Sequence, residues 1–520
     1  MGMVAPEQRI ASAFFVLFGK HGDVSRYAQE RGVCRQWIYR EAAALRNALA
    51  SARQEIESLR EQLRQAAQQR TELQTRLAKS VVIDAQKQGE FACVGQARGV
   101  TLRDCQGLLQ VLVPGQTLSV AELGRRTQAA GKKAGELLAV LDELARPKVR
   151  EAAADEIYVK DPVLMVVEPE SLCWLSGRRS EEVSGEAWLG EFTQLPNLEQ
   201  VMRDGGTGLK KAVALVNEQR QKQAKQLLTD QGDHFHALRG GSVGLNKAKR
   251  QAEKTLAAAE AAQKQLDQCA RQGQSRTGAT ARANRAWKKA EQAMDTWQQR
   301  EQAWQKIKQA LQLFTPDGEL NTRQRAEAVL AETLPQLPDS DFAKTKRQVQ
   351  APEMLNYLDR VQEKIAALPF TAEAKEAAVR QEGLRYRPEA LQGETPKAAA
   401  LRGMLLMCAV VLSKAGDDGV QAAMAVKEIF RRAYRASSLV ECINSVLRMH
   451  QAGHRRLTQG LLDLKRLYWN CHTFSADRRR NTTPYERLGV PLPPGLPWWE
   501  VLKLTPEQLR AKLSTTTMAA

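Results

Sequence analysis

The chain has 520 residues, a formal net charge of +18 and a sequence pI of about 9.6, which is too long for one core and predicts about three to five structural units facing a polyanion, nucleic acid ahead of an anionic membrane surface. Helix formers dominate and aromatics make up only 5%, so a mostly helical protein is expected. No uninterrupted apolar run reaches the roughly 18 residues of a spanning helix. The start MGMVAPEQRI lacks a signal pattern, and the eight cysteines include no C-x-x-C pair, which argues against secretion, a disulfide framework and a structural zinc site. The expectation is a soluble cytoplasmic protein, nucleoid-associated if bacterial, with no membrane partner.

In DVSRYAQERGVCRQWIYREAAAL (Asp23–Leu45), apolar Val24, Tyr27 and Ala28 precede Gly32, and Val33, Trp37 and Ile38 follow it. That is the outline of a helix-turn-helix whose second helix offers Arg35, Gln36, Tyr39 and Arg40 to a DNA groove; an ordinary helical hairpin is the alternative. The unit is placed at 1–44. From Leu45 an apolar seam runs through Leu49, Ala52, Ile56, Leu59, Leu63, Ala66, Leu73 and Leu77 in alternating steps of four and three, with Arg70 its one polar position. This heptad pattern predicts a coiled coil over 45–85 and self-association of the chain, at least as a dimer, or an antiparallel partner within it.

A second helix-turn-helix-like unit is expected at 95–148. TLRD (Thr101, Asp104) and SVAE (Ser119, Glu122) open its helices, and Gly131 is taken as the break between the last two. The texture then changes. ADEIYVKDPVLMVVEPESLCWL is rich in β-branched and apolar residues and predicts two or three strands in a meander, followed by a short helix at GEAWLGEF and a strand at LEQVM ending in Asp204 and Gly205-Gly206.

Residues 216–395 read as a polar, nearly all-helical stretch. Two long helices flanking GQSRTGAT predict an antiparallel hairpin. Trp287, Met294, Trp297 and Trp304 form one face of its second arm, which predicts packing between the arms, with DNA contact near Arg276 and Arg282 the alternative. The helical block 396–480 contains SSLVECINSVLR, and a Pro/Trp-rich tail occupies 481–520. Around that helix Leu439, Ile443, Val446 and Leu447 fall on one side and Glu441, Asn444 and Arg448 opposite. Alone, this is a solvated strip.

Two distant acids change its meaning. Asp155 lies on the first strand and Asp204 just after a later one, and each needs a third carboxylate of the kind Glu441 would supply. Acidic triads of this composition hold two divalent cations that clamp the attacking and leaving oxygens of phosphoryl transfer, and Mg2+ (or Mn2+) suits carboxylate ligands. GGTG and RGGSVG lack P-loop spacing, so no nucleotide cofactor is expected. His450 and His454 are spaced i, i+4 without the acid of an H-E-x-x-H motif, which favours a basic surface over a metal site. The run Arg478 to Arg480 is either a solvated tail or a phosphate contact.

These residues carry a resemblance. ADEIYVKDPVLMVVEPES resembles the first hairpin of retroviral integrases and DDE transposases, MRDGGTG their second acid with its turn, and LVECINSVLR their third motif, a Glu followed three residues on by Asn. The resemblance implies a mixed, mostly α protein with an RNase H-like α/β core at 150–215 and 396–480, interrupted by the helical insertion. It also implies Asp155, Asp204 and Glu441 as the catalytic and metal-binding triad, two metal ions per site, double-stranded DNA as partner, and Lys210, Asn444 and Arg448 near the DNA backbone. Asp161 and Glu168 are rival first acids. DHFH (Asp233–His236) resembles the D-x-x-H element of several such families, and a simple loop is its alternative. The implied activity is metal-dependent DNA strand cleavage and transfer. A non-catalytic DNA-binding regulator and a purely hydrolytic nuclease are the alternatives.

Overall fold

The computed structural model describes residues 5–79, 82–387, 391–453, 457–476, 479–493 and 495–519, in two units divided after Asp84. It is mostly helical, with one small mixed sheet of five strands.

The first unit contains α1 (Pro6–Phe18), α2 (Asp23–Glu30) and α3 (Arg35–Lys79). The chain turns between α2 and α3 at Gly32, whose φ of +66° a Cβ would disfavour, and the Val33 N–H returns to the Ala28 carbonyl at 3.0 Å. Tyr27, Ala28 and Ile38 form its small core with Phe15 and Trp37, and Arg9 pairs with Glu41 at 2.9 Å. Arg35, Gln36, Tyr39 and Arg40 are exposed. The boundary expected at residue 44 falls inside a helix: with no Gly or Pro from Arg35 to Lys79, nothing stops propagation, and the turn unit runs into the heptad segment as one 45-residue rod.

The second unit begins with α4 (Ala85–Arg98), α5 (Leu102–Leu112) and α6 (Val120–Ala145). The expected caps are present. Thr101 accepts from the Asp104 N–H at 3.1 Å and Ser119 from the Glu122 N–H at 3.2 Å. The expected break at Gly131 is not. Gly131 lies inside α6, because its missing side chain serves a close helix crossing: a Cβ there would sit 2.4 Å from the Gly460 carbonyl oxygen. Leu137, Leu138 and Leu141 of α6 join the core of the sheet.

The sheet contains β1 (Glu151–Val159), β2 (Asp161–Val167), β3 (Trp174–Arg179), β4 (Gln200–Arg203) and β5 (Thr229–Gly232), in the order β3-β2-β1-β4-β5. The meander β1-β2-β3 is antiparallel, whereas β4 and β5 add on parallel to β1. The hairpin turns at Lys160, with φ +69°. Between the strands come α7 (Gly185–Phe192), at the expected GEAWLGEF, and α8 (Thr207–Lys222). The strand expected at Leu198–Met202 is found at Gln200–Arg203, and β5 is an addition.

After β5 the chain forms the hairpin of α9 (His234–Arg271) and α10 (Thr277–Ala310), as the two long polar helices predict. Trp304 is 1% exposed, over Gly241, where a Cβ would fall 2.0 Å from its ring. Trp287 donates to Gln263 Oε1 at 3.3 Å across the arms. Arg276 and Arg282 are exposed. Next come α11 (Arg323–Thr333), α12 (Asp339–Val349), α13 (Asn356–Ala366), α14 (Ala372–Arg385), α15 (Pro396–Lys414) and α16 (Asp417–Arg431). The boundary expected at 396 falls within this block. Cys408, Leu412, Val426 and Phe430 of α15 and α16 share a core with Phe314, Leu358 and Val361, so the chain rejoins the sheet only at α17 (Ser438–Gly453).

Among the described residues α15 alone is long and apolar enough to cross a membrane by length and composition, although Arg402 interrupts its apolar run. After α17, α18 (Gln459–Cys471) crosses α6, and α19 (Pro484–Arg487), α20 (Trp498–Val501) and α21 (Pro506–Ala519) close the unit. Five of the eight cysteines are buried and all eight are free.

The α6–α18 crossing gives a stability test. Gly131→Ala should lower the thermal midpoint, on the order of 1–3 kcal/mol from overpacking. Gly124→Ala, on the same helix with its nearest neighbour 3.4 Å from the added Cβ, should be neutral or gain about 0.5–1 kcal/mol from helix propensity. Equal effects in a melting experiment would contradict the close crossing.

Candidate active site

Strand register creates the site. In the parallel pairs Ala154 is opposite Arg203, and Arg203 is opposite Gly232. The residues that follow are Asp155, Asp204 and Asp233, so three neighbouring strands present an aspartate at one level, with strand spacing of about 4.8 Å. The sheet fixes this juxtaposition regardless of the distances between them in sequence.

Helix α17 lies over β1 with Val440, Ile443 and Leu447 fully buried. Val440 takes the core position for which Val446 was expected, while Val446 is only half-buried. Glu441 thereby reaches Asp155: one ligand atom each of Asp155, His236 and Glu441 lie within 4.8 Å of one another. Arg448, 53% exposed, pairs with Glu441 at 2.7 Å. Asn444, expected near a DNA backbone, is 1% exposed instead; its Nδ2 donates to Asp155 Oδ2 at 3.3 Å, and its Oδ1 has no partner. It lies where α17 packs on β1, so its side chain meets Asp155 rather than solvent.

Asp204 turns its Oδ1 to the Gly206 N–H at 2.8 Å, where α8 begins. A Cβ on Gly206 would lie 2.9 Å from that oxygen and 3.7 Å from Glu156 Oε1, so the Asp204 and Glu156 carboxylates flank one point. Asp204 is not in the compact group formed by Asp155, His236 and Glu441, but its charge acts on Asp155, Glu156, Tyr158 and His236. Burial, then Asp204, pushes Asp155 from 3.8 up to about 7. The same two causes push Glu156 up to about 7. His236 is raised mainly by its 2.6 Å bond to Asp233, with Asp155 and Asp204 adding to it.

DHFH is therefore no simple loop. Asp233 caps α9 by accepting from the Phe235 N–H at 2.6 Å, and it also binds His236 and the Ser437 hydroxyl. Burial pushes its carboxyl up, but these bonds outweigh burial and hold it below the usual value. Sequence reasoning singled out DHFH without placing His236 among the site residues. It missed Glu156 and Ser437 altogether, and the acidic doublet Asp155-Glu156 was the one local signal for the former.

The remaining candidates lie elsewhere. Lys210 is 66% exposed and 3.6 Å from Glu353. Asp161 pairs with Arg179 at 2.5 Å beside the hairpin turn. Glu168 accepts from the backbone of Glu170 and Ser171 at 3.0 and 2.7 Å, which closes a turn. Of His450 only the backbone is described, and His454 and Arg478 lie outside the described residues.

A cluster in which carboxyls are pushed up by burial and by each other favours cations. Asp155 is protonated more readily folded than unfolded, so without metal its contribution destabilises the fold progressively as pH rises from about 4 to about 7. Asp155→Asn removes that charge. In EDTA it should unfold at a higher temperature than the parent at pH 8, by an amount on the order of a few kcal/mol at about 1.36 kcal/mol per pKa unit, with the difference shrinking towards pH 4. A variant less stable at pH 8 than at pH 4, relative to the parent, would contradict the buried repulsion.

Comparison with known proteins adds no name to this geometry: no protein-family model, no curated protein and no solved structure matches the chain.

Proposed function

We propose that the chain is a DDE-type DNA transposase, cutting and joining DNA strands with divalent metal ions at an RNase H-like core interrupted by a helical insertion. The observation that carries the reading is the convergence of Asp155, at a strand level shared with Asp204, with Glu441 from a helix 286 residues further along the chain. The order of elements supports it: antiparallel meander, short helix, parallel strand ending at the second acid, then the Glu helix.

The residues fit a metal centre by their chemistry. The proposed donors are carboxylate oxygens, a set suited to Mg2+ or Mn2+, with the His236 ring close beside them, and Glu156 Oε2 and Asn444 Oδ1 are buried without partners. Two ions held there would supply activation of water and of a DNA 3′-hydroxyl and stabilisation of a leaving oxygen. Asp155, Asp204 and Glu441 are the proposed ligands. Asn444 holds Asp155 in orientation, and Asp233 holds His236 against the cluster. Exposed Lys210 and Arg448 are the proposed phosphate contacts. Arg35, Gln36, Tyr39 and Arg40, on the first turns of α3, are the proposed readers of the element ends, and the seam of α3 pairs protomers. Such a protein works on DNA in the cytoplasm.

Incubation with the DNA that flanks the gene, in Mg2+ or Mn2+, should yield cleaved ends and joined products. Asp155→Ala, Asp204→Ala and Glu441→Ala should each reduce cleavage to background while end binding persists, and Arg35→Ala with Tyr39→Ala should weaken binding. Normal cleavage by Glu441→Ala sinks the triad. Binding without metal-dependent cleavage would indicate a regulator, and cleavage without joining a nuclease.

A further inference from the structure

The heptad face of α3 is left bare. From Arg46 to Ala78 every residue is exposed, and α1 and α2 cover only the beginning of the helix. Leu49, Ile56, Leu59, Leu63, Leu73 and Leu77 are 50–75% exposed along a single stripe. Helices in proteins draw most of their stability from packing an apolar face, and beyond the start of α3 the side chains of this stripe stand exposed.

We infer that α3 pairs with α3 of a second copy as a parallel, in-register, two-stranded coiled coil, setting two DNA-reading turns at the same end. The inference rests on the reading of this seam as self-associating and specifies its geometry. The alternating steps place Leu49, Ile56, Leu63, Arg70 and Leu77 at a positions and Leu45, Ala52, Leu59, Ala66 and Leu73 at d positions.

Charge decides the orientation. Arg53 pairs with Glu57 and Arg64 with Glu61 within the helix, while Glu55 and Arg60 enter no ion pair among the described residues. Glu55 is a g position and Arg60 the e position of the next heptad. In a parallel pair each Glu55 meets the other copy's Arg60, and symmetry makes two such bridges. In the antiparallel pair that best matches leucine layers, with Leu49 level with Leu73 and Leu63 with Leu59, Arg60 would face its own copy.

Arg70 sets the number of strands. At an a position it weakens one layer, and its long side chain escapes to solvent from two strands but is enclosed in three or four, so the polar layer selects the dimer and its register. Because α3 runs unbroken from Arg35, the seam fixes how far apart the two reading turns stand. The DNA matching this arrangement carries two half-sites related by a two-fold axis.

The test uses the full chain in a Cys34→Ser background. Sedimentation should give a dimer or an assembly of dimers, reduced in size by Leu59→Lys with Leu63→Lys. Leu49→Cys should form an interchain disulfide on mild oxidation while the background does not, because the two positions meet only in a parallel pair. In the antiparallel pair they stand about 36 Å apart, at 1.5 Å per residue. Mixing Leu49→Cys chains with Leu73→Cys chains should then give only like-with-like links. Links between unlike chains, or a dimer with no Leu49→Cys link, overturn the parallel geometry. A monomer that the lysine substitutions do not alter overturns the pairing itself.

Discussion

Parallel pairing of β1 with β4 and of β4 with β5 is the constraint on which the site depends. It forces Asp155, Asp204 and Asp233 to one level of the sheet, where burial and the charge of Asp204 make an ionised Asp155 unfavourable. The surrounding residues share out that difficulty. Asp233 is held by hydrogen bonds to His236 and Ser437, Glu441 pairs with Arg448, and Asp155 accepts from the neighbouring Glu156 N–H at 2.9 Å and from Asn444, which do not offset its burial and the charge of Asp204. The aspartate whose ionised form is most disfavoured in this way is the one at the centre of the proposed metal site.

The same register explains how so long a helical stretch between β5 and α17 leaves the site intact. The stretch begins at His234, whose N–H donates to the Arg435 carbonyl at 2.9 Å, and Ser437 closes onto Asp233 at its end. Its two ends are thus stitched at one point, so the length between them does not affect where Glu441 sits. Arg360 of α13 further locks these helices to the sheet through Glu151 at 2.8 Å, Glu199 at 2.9 Å and Gln200 at 2.5 Å. Removing one member of such a buried network would leave an uncompensated charge, which ties the helices to the sheet.

Much of the scaffold was legible in the amino acids because local rules were obeyed. β-branched runs gave the meander, Thr101 and Ser119 gave helix starts, and the polar arms gave the α9–α10 hairpin. Other features were set by tertiary contacts. β5 has four residues, TDQG, and only β4 makes it a strand. Gly131 has the appearance of a helix break, but the crossing with α18 requires it within α6. The polar strip of α17 shows which residues share a side, yet periodicity cannot tell that Asn444 is covered and Arg448 is not. His236 enters the acid cluster only because Asp233 occupies the end of β5, a strand that composition did not signal.

The central claim is that Asp155, Asp204 and Glu441 together hold two metal ions. Anomalous scattering from a crystal of the full chain soaked in Mn2+ tests it most directly. The account predicts two peaks about 3.5–4 Å apart, with Asp155 touching both, Asp204 one and Glu441 the other. A single ion held by Asp155, His236 and Glu441 with Asp204 turned away, or no ion at all, would contradict it.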